Sequence, residues 1–131
     1  MIEVSWAADD KKAILFSFQG DWDASTLQTA CKESGRLLRD HDRRCHFILD
    51  FTNNEGFLPQ DALTIFHQAS HQITIQVGLI VIVTVRTTLA RRIAHTLSRL
   101  GVTSLHPRLI FANSVGEALY ATGSLNSMAA V

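Results

Sequence analysis

The sequence predicts an α/β domain built on a mostly parallel five-stranded sheet with helices packed on it. Three observations predict it. Short apolar runs alternate with segments of helical period from residue 21 onward. Two of these runs, around Phe47 and Val77, are nearly continuous in apolar residues, as strands covered on both faces must be. The chain also begins with two alternating stretches joined by a polar turn, which read as a hairpin.

Each element follows from its residues. In "IEVSW", Ile2, Val4 and Trp6 share one side; "ADDKK" is the turn; "AILFSFQG" puts Ile14, Phe16 and Phe18 on one face and stops at Gly20. "DWDASTLQTACKESGRLLRDH" is helical. Asp21 or Asp23 can cap it, because a carboxylate accepts from the unpaired first-turn amides. Leu27, Cys31, Ser34 and Leu38 form its buried stripe, widened by Ala30 and Leu37, with Lys32, Arg36, Arg39 and Arg43 facing away. Gly35 inside it costs about 1 kcal/mol against Ala, so a close approach to the sheet is expected there.

"CHFILDF" is the third strand. "LPQDALTIFHQASHQI" is the second helix, with Pro59 in the first turn, where its missing amide would be unpaired anyway. "VGLIVIVTV", β-branched and uncharged, is expected to be the central strand. "TTLARRIAHTLSRLG" is the third helix, ended by Gly101. "PRLIFA" is the last strand. "SVGEALYA" opens with a capping box in which Ser114 and Glu117 satisfy each other's amides. The order is one domain over residues 1–131, with a core at about 2–121 and a small polar tail, 122–131, expected to fray.

Composition narrows the function classes. With 47% hydrophobic and 18% charged residues the chain has the make-up of a globular protein rather than a disordered one. A formal net charge of zero predicts no general pull toward nucleic acid. Charge is uneven, however: no Asp or Glu stands between Ala62 and Gly116, while Arg86, Arg91, Arg92, Arg99 and Arg108 do. The longest apolar stretch, from Val77 to Val83, is far short of the roughly 20 residues of a membrane span, and no basic leader precedes an apolar run. Cys31 and Cys45 have no CxxC partner and read as core thiols in a reducing compartment. A cytoplasmic protein is expected.

Motifs for chemistry are missing. Asp50 at the end of a buried strand raises the question of a phosphoacceptor, but that chemistry needs further acids for magnesium and a cation for the phosphoryl group. "SFQGDWD" places Asp21 and Asp23 beyond Gly20, and "RLIFANS" supplies no Lys. No Gly-rich phosphate loop follows a strand, His67 and His71 lack a third ligand and a glutamate, and no serine sits in a nucleophile elbow. No cofactor, metal or catalytic residue is therefore expected, unless Asp50 meets His46 or His67 in space. Polar groups gather at two strand C-termini, the usual binding edge of such sheets. One group is Asp50, Thr52, Asn53 and Asn54; the other is Arg86, Thr87 and Thr88.

"FSFQGDWDASTLQTA", "HFILDFTNNEGFLPQDAL" and "RLIFANSVGEALYA" together resemble the STAS domain, the family of sulfate transporters and anti-sigma-factor antagonists, over about residues 2 to 121. The long "TLARRIAHTLSRLG" is similar to a divergent, sporulation anti-anti-sigma-factor-like branch. The resemblance implies a hairpin followed by successive βα turns. It also implies a non-enzymatic regulatory module that binds a protein partner, such as an anti-sigma factor or a second copy of itself. In register, the family's Ser/Thr phosphoacceptor falls near Pro59 and Gln60, neither of which can be phosphorylated.

Asp50 is expected to have a structural role, accepting amides from Thr52, Asn53 or Asn54. The partner surface expected is Thr52, Asn53, Asn54, Phe57 and Leu58. The alternative is a carrier or sensor of a small anionic or lipid-like ligand, held by Asp50, Arg86, Thr87 and Thr88.

Overall fold

The computed structural model describes residues 1–39, 45–54, 77–84 and 109–123. The helices expected at 58–73 and 87–101 lie outside the described residues. Within them the protein is α/β, with five strands in one mostly parallel sheet and two helices.

Strand β1 (Ile2–Trp6) pairs antiparallel with β2 (Ala13–Gly20), from Ile2 opposite Phe18 to Trp6 opposite Ile14. The turn between them is closed by Ala7 N–H donating to Ala13 O at 2.8 Å, and Lys11 adopts a left-handed φ of 55°. After β2 the chain enters helix α1 (Ala24–Arg39) and returns as β3 (Cys45–Asn54), parallel to β2. β4 (Val77–Val83) and β5 (Leu109–Ala112) continue the parallel series, giving the order β1-β2-β3-β4-β5. Helix α2 (Val115–Ala121) follows β5.

Alternation along the strands sends side chains to two faces, and both are buried. On one face Ile14, Phe16, Phe18, Phe47, Leu49 and Phe51 pack with Leu27, Ala30 and Leu38 of α1. Phe18 stacks on Phe51 with ring centroids 4.4 Å apart, and Trp22 tilts against Phe18 at 4.9 Å. On the other face Ala13, Ile48, Val81, Val83 and Ala112 pack with Ala118 of α2.

The helix ends form as their residues dictate, with one shift. Asp23 caps α1, accepting at 2.8 Å from both the Thr26 amide and its hydroxyl. These bonds, the Thr26 amide first, hold the Asp23 carboxyl below the usual carboxylate range. Ser114 caps α2 by accepting from the Glu117 amide at 3.1 Å. The Glu117 carboxylate reaches one residue further back than a reciprocal box requires, to the Asn113 amide at 3.0 Å.

Three expectations are corrected. β3, not β4, is the middle strand, because the β1–β2 pair adds two strands on its far side. β3 also runs on to Asn54, past the end expected at Phe51. Gln19 and Gly20 pair with Asn53 and Asn54 after a register shift that sets three β3 steps against two of β2. Finally, a Cβ built on Gly35 meets no heavy atom within 4 Å, so no close approach to the sheet explains that glycine.

Gly35→Ala should therefore raise stability by about 1 kcal/mol, the helix-propensity difference, in a urea titration with unchanged slope. A loss of stability would contradict an open site. Burial pushes the Cys31 thiol up to about 11, and raises that of Cys45 as well. Above the ordinary thiol pKa of about 8.5 the unfolded chain releases a proton that the folded one keeps. Stability should thus fall as pH rises through that value toward about 11. Cys31→Ala should flatten this decline; an unchanged pH profile of the denaturation midpoint would contradict it.

Candidate functional site

The C-terminal ends of β2 and β3 form a rim of polar residues on a buried base. Asp50 stands between Ser17 of β2 and Val83 of β4, and only 8% of it is exposed. Its Oδ1 accepts from the Thr52 amide at 3.0 Å and from the Thr52 hydroxyl at 2.6 Å. A carboxylate accepting from two donors two residues on is a local tie that fixes the backbone direction at the strand end. The expected structural role of Asp50 is thus visible as geometry, with Thr52 as the residue held.

Beyond that tie the side chains diverge. Thr52 and Asn53 are exposed, while Asn54 is buried at 2%. The Asn54 Oδ1 accepts from the Trp22 indole N–H. Trp22 lies in the short connection from β2 to α1, so this bond ties the start of α1 to the end of β3. Gly20, at φ 61°, supplies the left-handed residue from which that connection departs. The N-terminal ammonium of Met1 donates to Gln19 O at 2.8 Å and to Asp21 O at 3.0 Å, bracketing the same connection.

Of the partner surface expected from sequence, Thr52 and Asn53 are each exposed, and Asn54 is turned inward as a structural acceptor. Phe57 and Leu58 lie outside the described residues, as do Arg86, Thr87 and Thr88 of the alternative ligand site. Next to Asp50 on the same sheet level, Gln19 Nε2 donates to Ser17 Oγ at 3.3 Å.

His46 does not join Asp50. The two stand four residues apart on one strand, about 13 Å along it. Nδ1 of His46 accepts from the Leu79 amide at 2.8 Å, so in this bond the imidazole carries its proton on Nε2. It fills the gap left in the β3–β4 ladder where Cys45 pairs with Val77 and Phe47 with Ile80. His67 lies outside the described residues. Among the described residues no three His, Cys, Asp or Glu side chains come together as metal ligands, and no helix is long and apolar enough to cross a membrane.

The Trp22–Asn54 bond and the His46–Leu79 bond escape sequence reasoning. Asn53-Asn54 reads as a turn on its own, and only the partner 32 residues away makes Asn54 a buried acceptor. Comparison of the sequence with protein-family models gives no match, and comparison with curated proteins gives none either.

Asp50→Ala should cost about 1–3 kcal/mol by freeing two donors at a nearly closed position, whereas Asp50→Asn, which keeps an acceptor oxygen, should cost less. Chemical denaturation of the two variants measures this. Equal losses would mean that the Thr52 tie contributes nothing.

Proposed function

We propose that the protein is a non-enzymatic, STAS-like regulatory module that binds a protein partner through the rim at Thr52 and Asn53. The observation that carries this reading is the Asp50–Thr52 tie. A buried carboxylate holds the exposed Thr52, next to the exposed Asn53, at the C-terminal edge of parallel strands, where such sheets bind. Preorganised polar residues limit the entropy lost on docking. The same carboxylate stands far from His46 along the strand, so the pair offers no acid–base chemistry.

The antiparallel β1–β2 pair and the β2–α1–β3 crossover support a hairpin followed by βα turns, as in anti-sigma-factor antagonists. In that role the partner would be an anti-sigma-type regulator. Control by the usual Ser/Thr phosphorylation is not part of the proposal, since Pro59 and Gln60 occupy that register.

Asn53→Arg should weaken capture of the partner from native extract by about tenfold or more, as expected for a residue at the centre of a contact. Lys32→Glu, on the exposed face of α1, should leave capture unchanged. Equal recovery by wild type and Asn53→Arg, quantified by mass spectrometry, would show that the rim is not the contact.

A further inference from the structure

We infer that the protein partner docks through an arginine, whose guanidinium lies over Ser17 and binds the carboxylates of Asp50 and Glu3. The inference rests on the reading of the rim as a protein contact and names the chemistry that docks beside Thr52.

An unfilled acceptor carries it. Asp50 is only 8% exposed, and its two hydrogen bonds, from the Thr52 amide and hydroxyl, both end on Oδ1. Among the described residues no donor or cation reaches Oδ2. A buried carboxylate is normally paired or fully hydrogen-bonded, because taking its charge out of water is costly. Here the tied oxygen fixes the side chain, and the other is left to receive a donor.

The register of the sheet supplies the rest of the site. Glu3 pairs with Ser17 and Ser17 with Asp50, so the three form one row across β1, β2 and β3. Residues paired in this way project to the same face. Neighbouring strands lie about 4.8 Å apart, which sets the Cα atoms of Glu3 and Asp50 about 10 Å apart with Ser17 between them. Exposure falls along the row: Glu3 is exposed, Ser17 half-buried and Asp50 buried. None of the three strands carries a Lys or Arg that could neutralise the two acids.

This arrangement selects a guanidinium over an ammonium. The guanidinium is a planar fork of five donors, able to reach acceptors on two sides at once, whereas an ammonium is a compact point charge. Ser17 Oγ accepts from Gln19 Nε2 at 3.3 Å and has a second lone pair for the group above it. The half-buried Leu15, next to Ser17 on the same face of β2, offers an apolar bed for the arginine stem.

Carbon-13 NMR of the side-chain carboxyls of the full chain tests the site without the partner. The probe is N-acetyl-arginine amide, added to millimolar concentration. The Asp50 and Glu3 signals should shift together. The neutral N-acetyl-citrulline amide should move neither, and N-acetyl-lysine amide should bind about threefold more weakly. Glu3→Gln, at an exposed position, should weaken the arginine probe about threefold, and Asp50→Asn about tenfold. An Asp50 signal that stays in place overturns the inference, as does an equal response to citrulline or to lysine, whether or not Asp50→Asn folds. Failure of the rim reading is seen separately, as partner capture that Asn53→Arg leaves unchanged.

Discussion

β3 is buried on both faces, and this constraint organises the rest of the structure. A strand between two packed layers has little water for its polar side chains, so each must be satisfied by protein or be costly. The apolar residues Phe47, Ile48, Leu49 and Phe51 meet the constraint by packing. His46, Asp50 and Asn54 meet it by specific bonds: His46 with the Leu79 amide, Asp50 with the Thr52 amide and hydroxyl, and Asn54 with the Trp22 indole. Each bond lies where the ladder is irregular or ends, and each fixes a neighbouring segment.

The consequence for function is positional. At the upper end of β3 two ties act on alternate residues, Thr52 and Asn54. Asp50 orients Thr52, and Asn54 locks the start of α1 through Trp22, which itself packs on Phe18. Asn53 stands between them, exposed on a backbone anchored from both sides. A surface of this kind suits recognition, where fixed geometry lowers the cost of ordering on contact.

Much of the framework is legible in the sequence. The bounds of β1 and β2 are readable because alternation and turn residues coincide there, and the caps, at Ser114 and at one of Asp21 and Asp23, because capping is a local interaction. What escapes is set by distant partners. The polar run after Phe51 reads as a loop, yet pairing with Gln19 and Gly20 keeps Asn53 and Asn54 in the strand. The order of strands depends on where the hairpin lies in the sheet, which no local pattern encodes. Gly35 shows the reverse error: its cost in a helix invites a packing reason, and the space around it offers none. At the candidate site the role of Asp50 could be read from its position before Thr52, while the inward turn of Asn54 could not, since it requires Trp22.

The account rests on the end of β3 being held rigid by its buried polar ties. Native-state hydrogen exchange of the Thr52, Asn53 and Asn54 amides measures this most directly. Held in the strand, they should exchange only through openings that approach the free energy of global unfolding, as core strand amides do. Exchange at the rate of an unstructured loop would contradict the account.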